Sequence, residues 1–116
     1  MTAQLACRTG DVPVAAALRC ELDGPDGSTV LVAVVRDADG GWHALADQCS
    51  HGDVALSEGD VDGCAVECWG HGSSFDLSTG EPLGLPATEP VAVYPVTLDG
   101  DRVLVDLDRP QNRPLN

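Results

Sequence analysis

Short runs of alternating apolar and polar residues recur along this chain, and turns rich in glycine, aspartate and proline separate them. Residues 1–9 and 14–22 alternate in this way, whereas residues 29–36 form a valine-rich run that is typical of a buried strand. The glycine- and aspartate-rich segment 37–41 is a hairpin signal, and residues 42–46 form the returning strand. Because no segment has a helical period, the pattern predicts an all-β fold, an antiparallel sandwich or partly open barrel.

The second half of the chain predicts shorter strands. Residues 61–63 are expected to turn into a strand at 64–67, and a further strand is expected at 75–77. Residues 91–98 and 102–107 then predict a closing hairpin around the turn at 99–101. We therefore expect one domain over residues 1–108, with a small β subdomain at about 47–87. The polar, proline-bearing segment 109–116 is expected to be a loose tail.

Two pairs of metal-ligating residues stand out in the predicted subdomain. The chain reads Cys49-Ser50-His51, then sixteen residues, then Cys68-Trp69-Gly70-His71. In an extended loop, residues two apart point the same way, which suits Cys49 and His51. In a tight turn, residues three apart are neighbours, which suits Cys68 and His71. Two such loops that close from opposite sides would offer four ligands to one small inorganic centre.

A set of two cysteines and two histidines has two main uses in proteins. One is a tetrahedral zinc site. The other is a [2Fe–2S] cluster in which two histidines replace two cysteines on one iron. The residue types alone leave both uses open.

The spacing C-x-H, sixteen residues, C-x-x-H resembles that of the Rieske family, and in particular of bacterial Rieske ferredoxins. The run from Cys68 to Asp76, followed by Thr79-Gly80, is similar to the second cluster loop of that family, and residues 84–86 resemble its proline-bearing cover. The resemblance extends over residues 5–106. It implies a Rieske fold with a cluster-binding subdomain, and one [2Fe–2S] cluster held by Cys49, His51, Cys68 and His71.

The same resemblance implies a one-electron carrier between a flavin-containing reductase and a terminal oxygenase, such as a ring-hydroxylating dioxygenase. Once the four ligands are set aside, no acid–base or nucleophile constellation remains, so we do not expect an enzyme. Three alternatives stay open: the small Rieske-like subunit of a nitrite reductase, an accessory ferredoxin of iron–sulfur cluster assembly, and a structural zinc module. Visible colour would separate the zinc module from the others.

The residues around the predicted cluster bear on its reduction potential. High-potential members of the family carry an additional cysteine in each cluster loop, and the corresponding positions here are Val54 and Gly70. Ser73 stands at a serine position that supports a high potential, but Phe75 occupies the tyrosine-like position and has no hydroxyl. We therefore expect a potential at the low end of the Rieske range, about −150 mV.

Charge narrows the choice of partners. The net charge is −13 and the chain has only six lysine and arginine residues, whereas binding to phosphate backbones needs clustered basic residues. We expect neither nucleic acid nor membrane as a partner, but rather a redox protein with a basic face. Because no apolar run approaches 18 residues and no leader follows Met1, we expect a soluble, cytoplasmic protein.

The remaining cysteines and the third histidine are expected to be structural. Five cysteines are present, and the three outside the predicted ligand set, Cys7, Cys20 and Cys64, lie in strand-like segments. Free thiols of this kind behave as small hydrophobic groups in a reducing compartment. His43 has no partner at ligand spacing, so we expect it to pack on a strand rather than to bind the cluster.

Overall fold

The computed structural model describes residues 3–24, 27–47, 55–67, 74–83 and 91–107, and more than half of these residues lie in β-strands. Two short 3-10 helices, Thr9–Asp11 and Leu56–Glu58, interrupt the strands. The strands are β1 (Ala3–Arg8), β2 (Ala16–Asp23), β3 (Thr29–Arg36), β4 (Trp42–Ala46), β5 (Asp60–Asp62), β6 (Ala65–Glu67), β7 (Ser74–Asp76), β8 (Val93–Tyr94), β9 (Val96–Asp99) and β10 (Arg102–Asp106). The predicted all-β fold is confirmed.

The strands form three antiparallel sheets. The outer sheet has the order β1-β10-β9, the central sheet β2-β3-β4-β8, and the small sheet β5-β6-β7. None of these sheets closes into a barrel. The small sheet occupies the part of the chain where the sequence predicts the cluster-binding subdomain.

The central sheet is covered on both faces, which explains the valine-rich run of β3. Successive side chains of a strand point to opposite faces. Val32 and Val34 pack in the core shared with the outer sheet, whereas Ala33 and Val35 pack in the core shared with the small sheet. All four side chains are fully buried. A strand buried on both faces has no polar positions to alternate, so its sequence reads as a continuous apolar run.

The predicted strand at 91–98 is wrong, because the chain divides there into two strands in different sheets. Tyr94 pairs with Ala44 of the central sheet, whereas Val96 pairs with Val105 of the outer sheet. Pro95 lies between them and has no N–H to donate to a strand ladder. The chain therefore passes from one sheet to the other at this proline.

The predicted start of the small sheet is also wrong. Residues 60–62 form strand β5 rather than a turn, and Val61 pairs with Val66. The reversal falls at Gly63, which has a φ of +61° that favours glycine. Cys64 consequently lies in the turn, where it is exposed, and not in a strand as a buried hydrophobic group. Cys7 and Cys20 are buried, as expected.

Within the described ranges, no helix is long and apolar enough to cross a membrane.

Candidate metal centre

The four predicted ligands, Cys49, His51, Cys68 and His71, lie outside the described residues. The same holds for the predicted loop residues Val54, Trp69, Gly70, Gly72, Ser73 and Pro86. What the structure describes is the framework on either side of the two segments that carry the predicted ligands, residues 48–54 and 68–73.

A buried carboxylate joins the two ends of the first segment. Asp47 follows β4 directly, and its side chain is fully buried. The backbone N–H of Ser57 donates to Asp47 Oδ1 at 2.7 Å, and the Ser57 hydroxyl donates to Oδ2 at 2.7 Å. Arg19 Nε donates to the same Oδ2 at 2.6 Å. The charge is therefore paired and hydrogen-bonded, as a buried carboxylate requires.

Sequence reasoning missed this role of Asp47. An aspartate after a strand is an ordinary turn residue, and a serine ten positions later gives no signal that the two are joined. Arg19 lies in β2, distant in sequence, and only the folded central sheet brings it to the carboxylate.

A β-hairpin frames the second segment. Glu67 ends β6, Ser74 begins β7, and these two residues pair directly. Cys68 therefore follows the end of a strand, as the sequence predicts. The next pair in the ladder joins Val66 to Phe75, and the Phe75 side chain is fully buried in the core between the small and central sheets.

The bases of the two segments lie against each other. Gly59, just beyond Ser57, approaches the backbone of Glu67 so closely that an added Cβ would overlap the Glu67 carbonyl oxygen. The next residue, Asp60, pairs with Glu67 across the small sheet. The described residues that flank the two segments thus lie at adjacent points of the framework. Together the segments carry two cysteines and two histidines, and this donor set fits a Rieske cluster.

The other candidate groups belong to the described framework. Cys7 and Cys20 pack in the core between the outer and central sheets, and the Cys20 thiol donates to the Leu18 carbonyl oxygen at 3.9 Å. Burial raises the pKa of the Cys20 thiol to about 12, and the neighbouring Cys7 adds to this effect. Burial also raises the pKa of Cys7. Both thiols are therefore protonated at neutral pH.

His43 has a partner that the sequence analysis missed. Its Nε2 lies 2.8 Å from Asp37 Oδ2, and the side chains are 15% and 11% exposed. The hydrogen bond from His43, together with one from the backbone N–H of Gly41, lowers the pKa of Asp37. His43 therefore packs on its strand, as expected, but as half of a largely buried pair.

Comparison with known proteins identifies the class. The family model of the Rieske [2Fe–2S] domain matches residues 2–95. The chain belongs to this family, the predicted resemblance is confirmed, and its cofactor is one Rieske-type [2Fe–2S] cluster.

Individual relatives narrow the class further. The chain is 40% identical over 107 residues to the 3-phenylpropionate/cinnamic acid dioxygenase ferredoxin subunit of Escherichia coli K12, covering 91% of this chain and 94% of the relative. The Sphingomonas yanoikuyae B1 ferredoxin is 28% identical with a TM-score of 0.81, covering 90% of this chain and 98% of that one.

A third match is a solved complex of reduced oxygenase and oxidized ferredoxin in carbazole 1,9a-dioxygenase. Its matching chain is 30% identical with a TM-score of 0.78, covering 90% of this chain and 93% of that one. With these relatives, the chain is a Rieske ferredoxin, an electron-transfer component rather than a catalytic enzyme.

Proposed function

We propose that this ferredoxin carries single electrons from a flavin-containing reductase to the terminal oxygenase of a ring-hydroxylating dioxygenase system. We further propose that Cys49, His51, Cys68 and His71 hold its cluster. The main support is the 40% identity to a dioxygenase ferredoxin subunit across nearly the full length of both chains. The likeness to a ferredoxin solved together with its oxygenase adds to that support.

Each part of the chain has a defined task in this proposal. The cluster supplies a site that accepts and releases one electron. Cys49 and Cys68 provide thiolates, and His51 and His71 provide neutral imidazoles that add no negative charge. Adding an electron therefore costs less than at a site with four thiolates, which places Rieske potentials above those of plant-type ferredoxins.

The framework anchors the ends of the two segments that carry these ligands. Asp47 holds the two ends of segment 48–54 together through Ser57, and the β6–β7 hairpin holds segment 68–73. A frame fixed by hydrogen bonds limits the rearrangement of the ligands when the electron arrives or leaves, and preorganisation of this kind lowers the cost of transfer.

Reconstitution tests the assignment to a dioxygenase. The cluster-loaded protein replaces the ferredoxin subunit in a mixture of purified 3-phenylpropionate dioxygenase reductase and oxygenase components with NADH. We expect product formation that depends on this protein and saturates with its concentration. Absence of product with an intact, reducible cluster, together with co-purification with a sirohaem protein, would contradict the proposal and favour the nitrite reductase alternative.

Substitution of single ligands tests the assignment of the site. We expect His51→Ala, His71→Ala, Cys49→Ser and Cys68→Ser each to abolish the visible spectrum of the Rieske cluster. His43→Gln and Cys64→Ser are matched controls, because they change a histidine on β4 and a cysteine in the β5–β6 turn that are not among the four proposed ligands. Both controls should keep full iron content; loss of the cluster in the controls but not in the ligand variants would overturn the assignment.

The domain organisation and location belong to the same proposal. Residues 1–108 form the Rieske domain, with residues 47–87 as its cluster-binding part and residues 109–116 as a tail. The free thiols Cys7, Cys20 and Cys64 and the proposed thiolate ligands suit the reducing cytoplasm. Cell fractionation checks the location, and a protein truncated after residue 108 should keep its cluster.

A further inference from the structure

We propose that Asp37, His43 and Cys64 form a second metal site, separate from the cluster, that binds one zinc ion. Each of these residues offers one ligand atom, and the three atoms lie within 4.8 Å of one another. Among the described residues, this is the group whose side chains converge in the manner of a metal site.

The site forms where two hairpins meet. Asp37 follows β3 and His43 lies on β4, so both belong to the hairpin of the central sheet. Cys64 lies in the turn between β5 and β6 of the small sheet. A backbone hydrogen bond from Ala38 N–H to the Gly63 carbonyl, 3.1 Å long, joins the two turns. The ligands therefore come from two separate sheets, and a bound ion would link them.

The carboxylate of Asp37 is already oriented. Its Oδ1 accepts hydrogen bonds from the backbone N–H groups of Asp39 at 2.9 Å and Gly41 at 2.8 Å. Its Oδ2 is thereby directed towards His43 Nε2. A Cβ at Gly41 would lie 2.7 Å from Oδ2, so glycine is needed to leave room for the carboxylate.

Cys64 completes the site from the solvent side. Its carbonyl accepts a hydrogen bond from Leu77 N–H at 2.9 Å, which fixes the backbone of the turn. Its Sγ lies 3.6 Å from the Ser78 hydroxyl, and the residue is exposed. An ion can therefore enter from solvent, past the sulfur, to the largely buried histidine and aspartate.

The donor set selects the metal. One sulfur, one nitrogen and one carboxylate oxygen are the three ligand types that zinc takes in tetrahedral sites, whereas magnesium and calcium prefer oxygen alone. Ligands of a tetrahedral zinc lie about 3.2 to 3.6 Å apart, by its usual bond lengths. Because the three atoms lie within 4.8 Å of one another, no separation has to close by more than about 1.6 Å, and the 2.8 Å separation of His43 Nε2 and Asp37 Oδ2 has to widen slightly. Three protein ligands leave the fourth position for water or a small exogenous ligand.

The amount of zinc bound per chain in the cluster-loaded protein tests the proposal. The protein is dialysed against micromolar zinc chloride, and zinc and iron are determined together by elemental analysis. We expect one zinc per chain with unchanged iron. We expect binding to weaken by at least about tenfold in Cys64→Ser and His43→Gln, because each loses a direct ligand.

Asp39→Asn is the matched control. It removes an exposed carboxylate from the same turn but leaves the three ligands in place, so it should bind zinc as the unaltered protein does. A second measurement is alkylation of Cys64, which zinc should slow in the unaltered protein and in the control. Absence of stoichiometric zinc, or equal zinc in Cys64→Ser, His43→Gln and the control, would overturn the proposal. Full iron content in every variant shows that folding is intact.

Discussion

Phe75 is a core residue that lies two positions after the segment carrying the predicted ligands Cys68 and His71. It follows Ser74 at the end of segment 68–73, and its ring is fully buried. In the sequence analysis, Phe75 occupies the position of a tyrosine whose hydroxyl raises the reduction potential in high-potential members of the family.

We expect Phe75→Tyr to raise the midpoint potential. A phenol hydroxyl that donates to a cluster sulfur stabilises the reduced state, and one net hydrogen bond corresponds to about 20 to 65 mV for one electron. A redox titration measures the shift. Tyr94→Phe is the control, because Tyr94 packs against the other core and its hydroxyl should not affect the cluster. An unchanged potential in Phe75→Tyr would show that residue 75 does not reach the cluster.

The thiols outside the proposed cluster should differ sharply in reactivity. Alkylation requires a thiolate, and a pKa of about 12 leaves Cys20 almost entirely protonated at pH 8. Cys7 is buried beside it and its pKa is also raised, whereas Cys64 is exposed. In the cluster-loaded protein we expect iodoacetamide to modify Cys64 first and to spare Cys7 and Cys20 until the chain unfolds. Peptide mass mapping distinguishes the three; modification of Cys20 at the rate of Cys64 would contradict its burial.

At the scale of elements, the close approach of Gly59 to the end of β6 depends on the absence of a side chain at this position. A side chain there would overlap the backbone of Glu67, and a carbonyl in a strand ladder cannot move without breaking its pairing. We expect Gly59→Ala to lower the free energy of unfolding by about 1 to 3 kcal/mol and to reduce cluster retention.

Gly10→Ala is the matched control for this substitution. Nothing lies within 4 Å of a Cβ at that position, and its φ is not in the left-handed region. Thermal unfolding followed by circular dichroism, together with iron content, compares the two variants. Equal stability of Gly59→Ala and Gly10→Ala would show that the two segments do not need this close approach.

The elements also show what the sequence could and could not predict. The bounds of β3 and β4 were predicted to the residue, because an apolar run ends at a glycine-rich hairpin whose turn chemistry is local. The division at Pro95 was missed, because apolar residues continue on both sides and only the pairing partners reveal two sheets. Strand β5 was missed because its single apolar residue, Val61, lies between two aspartates.

The four cluster ligands stay a prediction from the sequence, whereas the contacts that support their segments could not be predicted from it. The spacing of cysteines and histidines is a local pattern that can be recognised without knowledge of the fold. The Asp37–His43 pair depends on the register of the β3–β4 hairpin, and the Asp47–Ser57 pair depends on where the chain returns ten residues later. Polar residues of these types are common in turns, so their roles carry no signal in the sequence.

At the scale of the whole molecule, a net charge of −13 should govern encounters with redox partners. Long-range attraction to a basic partner surface speeds association and is screened by salt, with a Debye length that falls from about 30 Å at 0.01 M to about 10 Å at 0.1 M. We expect the rate of reduction by the reductase to fall several-fold over this range in stopped-flow measurements.

A small uncharged reductant is the control for this effect, because it should show little dependence on salt. A rate with the reductase that stays constant, or rises with salt, would indicate that the acidic surface serves solubility alone.

Among the residues that the structure describes, the central sheet separates two cores that share no buried residue. One core joins it to the outer sheet, and the other joins it to the small sheet, on which we propose that the cluster is held. A newly made chain can therefore complete the first core before iron and sulfide are bound.

In amide hydrogen exchange of the apoprotein, we expect β10 and β2 to remain protected while β6 and β7 exchange readily. Proteins that deliver the cluster would then act on a chain whose first core is already folded and whose small sheet is not yet stable.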